Sequence, residues 1–68
     1  MNNEAFNMSI RKFLKTVGVR SQHEIEQAVT QALAQGKLSG KKSLPASMNL
    51  RIGEINLDVK FDGEISVE

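Results

Sequence analysis

From Met48 to Val59 the chain alternates apolar and polar residues, interrupted only at Gly53-Glu54, and this period of two predicts a half-buried antiparallel hairpin. Met48, Leu50 and Ile52 alternate with Asn49 and Arg51. Ile55, Leu57 and Val59 alternate with Asn56, Asp58 and Lys60. Glycine in the first position of Gly53-Glu54 suits a two-residue type II′ turn, which pairs Ile52 with Ile55, Leu50 with Leu57 and Met48 with Val59. All six apolar side chains then share one face. A third strand follows if Lys60-Phe61-Asp62-Gly63 forms a type I turn with Gly63 left-handed in a bulge. That turn keeps Ile65 and Val67 on the apolar face and sets Lys60 against Glu64. A two-residue turn at Asp62-Gly63 would send Ile65 and Val67 to the opposite face. The expected strands therefore cover about 47–52, 55–60 and 64–68, with Asn49, Arg51, Asn56, Asp58, Lys60 and Ser66 on the wet side.

Upstream the apolar period lengthens to that of a helix. Phe6, Ile10, Phe13 and Val17 recur at spacings of four, three and four, with Leu14 widening the stripe and Gly18 placed where a helix would stop. Ser21 and Glu24 stand in the S-x-x-E relation of a capping box, and Ile25, Ala28, Val29, Ala32 and Leu33 form a second stripe that Gly36 closes. Two helices are expected, over about 3–17 and 22–35. The connection through Gly18-Val19-Arg20 is short enough to make them neighbours, as a helix hairpin or a steeper corner. A basic loop over 36–45 carries Lys37, Lys41 and Lys42, with Leu38 and Leu44 as its apolar anchors. The architecture predicted is α+β: an N-terminal helix pair packed on one face of a C-terminal three-stranded antiparallel meander, in the order ααβββ.

A chain of 68 residues is too short for two independent cores, so one domain spanning 1–68 is expected. Domains of this size often add disulfides or a metal. Here there is no cysteine, and one histidine, His23, cannot build a structural zinc site. Apolar packing has to supply the stability, and self-association would add to it. The N-terminus lacks a basic segment followed by an apolar run, and no apolar stretch approaches the roughly 20 residues that span a bilayer. We therefore expect a cytoplasmic protein with no membrane association.

No constellation in the sequence points to chemistry. His23, Glu24 and Glu26 are neighbours along a helix, where adjacent residues point in different directions, and Glu24 is taken by the capping box. Gly36 to Ser43 resembles a phosphate-binding loop, but three residues rather than four separate its glycines, and it follows a helix instead of a strand. Without a cysteine, an H-x-x-x-H pair or a strained nucleophile elbow, catalysis has no starting group. Neither a catalytic residue, a cofactor nor a metal is expected.

Binding remains. Nine Lys and Arg balance eight Asp and Glu, a net charge of +1 that does not mark a nucleic-acid binder. The distribution is uneven, since eight of the nine bases lie between Arg11 and Arg51. Arg11, Lys12, Lys15, Arg20, Lys37, Lys41 and Lys42 would make one basic surface if the loop folds back beside the first helix. A helix-turn-helix comparison over Leu14–Val29 is weakened by Glu24 and Glu26, which would face phosphates. The preferred expectation is a small interaction module, a homodimer or the partner of another protein, using a sheet edge or the outer face of the first helix, where Met8 is exposed. Weak nucleic-acid binding through the seven basic residues is the alternative.

The string Asn7-Met8-Ser9-Ile10-Arg11-Lys12-Phe13-Leu14, then Val17-Gly18-Val19, Ser21-Gln22 with Glu24-Ile25-Glu26, Gly36-Lys37-Leu38 and Leu44-Pro45-Ala46, resembles a family of short bacterial proteins known as a domain of unknown function. The resemblance runs end to end. It implies a free-standing bacterial protein of about 70 residues and supplies no activity, ligand or catalytic residue.

Overall fold

The structure, a computed structural model, describes residues 1–68 and is α+β, with one long helix and two antiparallel strands. The chain divides into two compact units, Met1–Leu38 and Ser39–Glu68.

The first unit is a single helix, α1, over Asn3–Ala34. Asn2 starts it: the side-chain oxygen accepts from the Glu4 and Ala5 amides at 3.0 and 3.2 Å, satisfying two of the orphan donors of the first turn. Glu4 adds a negative charge where the helix dipole is positive. Gly36 ends it at φ +72° in a Schellman closure, with the Gly36 amide donating to Leu33 O and the Lys37 amide to Ala32 O.

The two helices expected over 3–17 and 22–35 are therefore one. Gly18 costs about 1 kcal/mol relative to alanine inside a helix, but that alone does not end one. A corner at Gly18-Val19-Arg20 would expose up to four carbonyls and four amides that the continuous helix keeps bonded. The apolar phase also carries through. Phe6, Val17 and Ala28 are spaced by eleven residues, as are Ile10, Ser21 and Ala32, and this repeat of 3.67 residues per turn holds one stripe along the axis. Ser21 and Glu24, read as a capping box, lie inside the helix, and Ser21 belongs to the stripe.

The second unit is a two-stranded ribbon, not a three-stranded meander. Strand β1 covers Ser43–Ile52 and β2 covers Leu57–Ser66, in a register that runs from Ser43 opposite Ser66 to Ile52 opposite Leu57. The turn is a 3₁₀ segment, Gly53–Ile55, closed by Asn56 in the left-handed region at φ 55°, whose amide donates to Gly53 O. Asparagine tolerates that conformation, so a four-residue loop displaces the expected type II′ turn. Ile55 leaves the ladder and is 67% exposed. The register moves by two residues, which preserves the parity that puts apolar residues on one face.

The bulged turn at Lys60–Gly63 does not form, because β1 begins at Ser43 and offers partners as far as Ser66. Pro45 does not prevent this. Hydrogen-bonded pairs alternate along an antiparallel ladder, and Lys42 O accepts from Val67 N at 2.9 Å, so Pro45 opposite Glu64 falls on a position whose missing N–H would have pointed outward. The stretch from Ser43 to Pro45, expected in the loop, is strand.

Replacing Gly18 with alanine should raise stability by about 1 kcal/mol, because an added Cβ meets nothing within 4 Å and the residue is helical. Gly36→Ala should lower stability, since φ there is +72°. Thermal unfolding followed by circular dichroism reads both; a destabilised Gly18→Ala protein would mean a break in α1.

Candidate interaction surfaces

The register of the ribbon sorts its side chains completely. Leu44, Ala46, Met48, Leu50 and Ile52 of β1 lie opposite Ile65, Gly63, Phe61, Val59 and Leu57 of β2, giving one face with no polar side chain. The other face carries Ser43, Pro45, Ser47, Asn49 and Arg51 against Ser66, Glu64, Asp62, Lys60 and Asp58. There the Arg51 guanidinium stands 3.6 Å from the Asp58 carboxylate across the strands, Lys60 Nζ is 3.6 Å from Asp62, and the Ser43 hydroxyl donates to Glu64 Oε2 at 3.3 Å. These are solvated pairs, each worth less than about 1 kcal/mol.

The apolar face is not sealed by its own ribbon. Phe61 remains 57% exposed, and Met48, Ile52 and Val59 are also partly exposed. Two strands can contact each other only at their shared seam, where each apolar cross-strand pair contributes roughly 0.2–1 kcal/mol. Ordering each residue costs about 1–2 kcal/mol. A ribbon of this kind, held only by its seam, is marginal in water.

On α1 the stripe turns the same chemistry along one side. Phe6, Ile10, Phe13, Leu14 and Val17 occupy its first half, followed by Ser21, Ile25, Ala28 and Ala32. Phe6, Phe13 and Leu14 are about half exposed. No residue anywhere in the chain is buried.

The basic residues expected to form one surface are distributed over both units. Arg11, Lys12 and Lys15 line a shallow depression of α1 together with Ala5, Met8 and Ser9. Arg20 also lies on α1, about 140° around the axis from Lys15, and Lys37 follows the helix end. Lys41 and Lys42 belong to the Ser39–Glu68 unit. His23 and Glu26 line another open depression with Gln27, Thr30 and Gln31, and no group of three or more His, Asp and Glu side chains is placed to hold a metal ion. No helix is long and apolar enough to cross a membrane.

The expected strand limits leave Leu44, Ala46 and Phe61 off the apolar face. The signal for them is present in the sequence: alternation already begins at Leu44 and continues past Val59 to Phe61, but Pro45 and Asp62-Gly63 resemble turn punctuation and hide it.

An amphipathic helix and an amphipathic hairpin make this a small α+β protein. The chain belongs to DUF6494, a family of unknown function, which matches residues 1–68. No curated protein and no solved structure matches it.

A charge placed on the apolar face should cost far more than one on the polar face beside it. Leu50→Asp is expected to remove the strand signal in circular dichroism, while Asn49→Asp, the preceding residue along β1, leaves stability within about 0.5 kcal/mol of the parent. Equal effects would mean that the two faces are equally solvated.

Proposed function

We propose that this chain is a non-catalytic interaction protein whose two apolar faces are binding surfaces, and whose folded state is completed by association. The observation that carries this reading is the lack of any buried side chain in a chain that is 40% hydrophobic.

The side chains gathered on the two faces are mainly Phe, Leu, Ile, Met, Val and Ala, which bind by excluding water and carry no acid, base or nucleophile. Association through them supplies what a disulfide or a metal supplies in other domains of this length. The cytoplasm is the setting this reading assumes, since a cysteine-free chain gains nothing from an oxidising one. Phosphate binding through Arg11, Lys12 and Lys15 is the competing use of α1, and ionic strength separates the two.

Mass action gives the test. The melting temperature should climb with chain concentration, and the mass by sedimentation equilibrium should exceed that of one chain at both low and high salt. A monomer with a concentration-independent melting temperature would overturn the proposal. Nucleic-acid binding that collapses between about 50 and 200 mM salt, with no self-association at any concentration, would favour the phosphate reading.

A further inference from the structure

We infer that this chain pairs with a second copy of itself along the free edge of β2, antiparallel about a two-fold axis at Asp62, making a four-stranded sheet. The inference rests on the association reading above and names the partner and the edge through which the copies meet.

The ladder decides which backbone groups are free. Lys42 O accepts from Val67 N, so the hydrogen-bonded pairs of the ribbon fall on its apolar-face residues. The amides and carbonyls of Asp58, Lys60, Asp62, Glu64 and Ser66 therefore point away from β1, and none of them has a backbone partner elsewhere. Such an edge is where another strand adds. The two edges of the ribbon are not equivalent. On β1 the outward position at Pro45 has no N–H to give, whereas β2 runs from Leu57 to Ser66 with no proline and an unbroken register.

Parity, length and charge then select the register. A second β2 must keep its apolar residues on the same side of the sheet, so outward residues meet outward residues. Two antiparallel registers pair the strand over nearly its whole length. With the axis at Phe61, Lys60 meets the partner's Asp62, but Asp58 meets the partner's Glu64, and attraction and repulsion cancel. With the axis at Asp62, Lys60 meets the partner's Glu64 on both sides of the axis, and Asp58 meets the partner's Ser66. The one like-charged pair is Asp62 against its own copy, and each of those carboxylates already has Lys60 Nζ of its own chain at 3.6 Å.

The apolar side agrees with the second register. Phe61 falls beside the partner's Gly63, where even an added Cβ would meet nothing within 4 Å, and Val59 falls beside the partner's Ile65. The Phe61 ring, 57% exposed in the single chain, covers the open space at a glycine and is covered in turn. The two apolar faces become one continuous face. The two-fold uses both free β2 edges and leaves neither to polymerise.

Charge reversal in the full-length chain reads the register. Lys60→Glu and Glu64→Lys should each weaken self-association about tenfold by sedimentation equilibrium, since each sets two like-charged pairs across the axis. Mixing the two variants should restore it as a heterodimer, because every reversed charge then meets its opposite. With the axis at Phe61, Glu64→Lys would instead tighten association. The absence of native cysteine gives a second readout. Asp62→Cys should form a disulfide with its own copy across a Cα separation of about 5.5 Å. Asp58→Cys, about 27 Å from its copy along the strands, should not. Tighter association of Glu64→Lys, or equal cross-linking of the two cysteine variants, overturns the pairing stated here. An oligomer that ignores both charge reversals and forms no Asp62→Cys disulfide is held elsewhere, which overturns β2 pairing and leaves the association reading standing. A strict monomer sinks both.

Discussion

A helix and a two-stranded ribbon share a geometric limit: neither can bury a side chain by itself. A helix turns its apolar stripe outward, and a ribbon has only one seam, so every residue on its apolar face keeps at least one open side. Here Phe6, Phe13 and Leu14 on α1, and Met48, Ile52 and Phe61 on the ribbon, are all substantially exposed. Contact of water with those faces is unfavourable, and neither unit removes it by its own geometry.

The local devices are complete within each unit. Asn2 caps the start of α1, Gly36 closes its end with both Schellman bonds, and Asn56 accepts the left-handed conformation that the hairpin loop needs. The solvent side of the ribbon carries only polar residues and the single proline, which lies where its lost N–H breaks no bond in the ladder. Each of these devices acts within a few residues of its own position, so local propensity and local structure agree along the chain. Membership in a family of unknown function spanning residues 1–68 adds no activity to this picture.

Two differences between sequence pattern and structure have one origin. Gly18 and Ser21-x-x-Glu24 imitate a helix stop and start, and Asp62-Gly63 imitates a hairpin turn, because the residues that permit a break are the same ones that merely tolerate continuity. In both places the longer-range apolar phase decides the outcome. The eleven-residue spacing from Phe6 to Val17 to Ala28 keeps the helix whole, and the early start of β1 at Ser43 gives Phe61, Gly63 and Ile65 partners to pair with. Of the seven basic residues, Arg11, Lys12 and Lys15 share a depression on α1, and Lys41 and Lys42 belong to the other unit.

The sequence by itself determined that Met48, Leu50, Ile52, Leu57, Val59 and Ile65 share one face, since a period of two survives a shift of the register by two residues, while Leu44, Ala46 and Phe61 joined that face and Ile55 left it only in the structure. It also determined the helix end at Gly36 and the exclusion of disulfides. The tertiary structure alone decided the number of elements and the pairing of Leu44 with Ile65 and Met48 with Phe61. The physical reason is that a turn competes with continued pairing by the free energy of the whole ladder, and no window of four residues contains that sum.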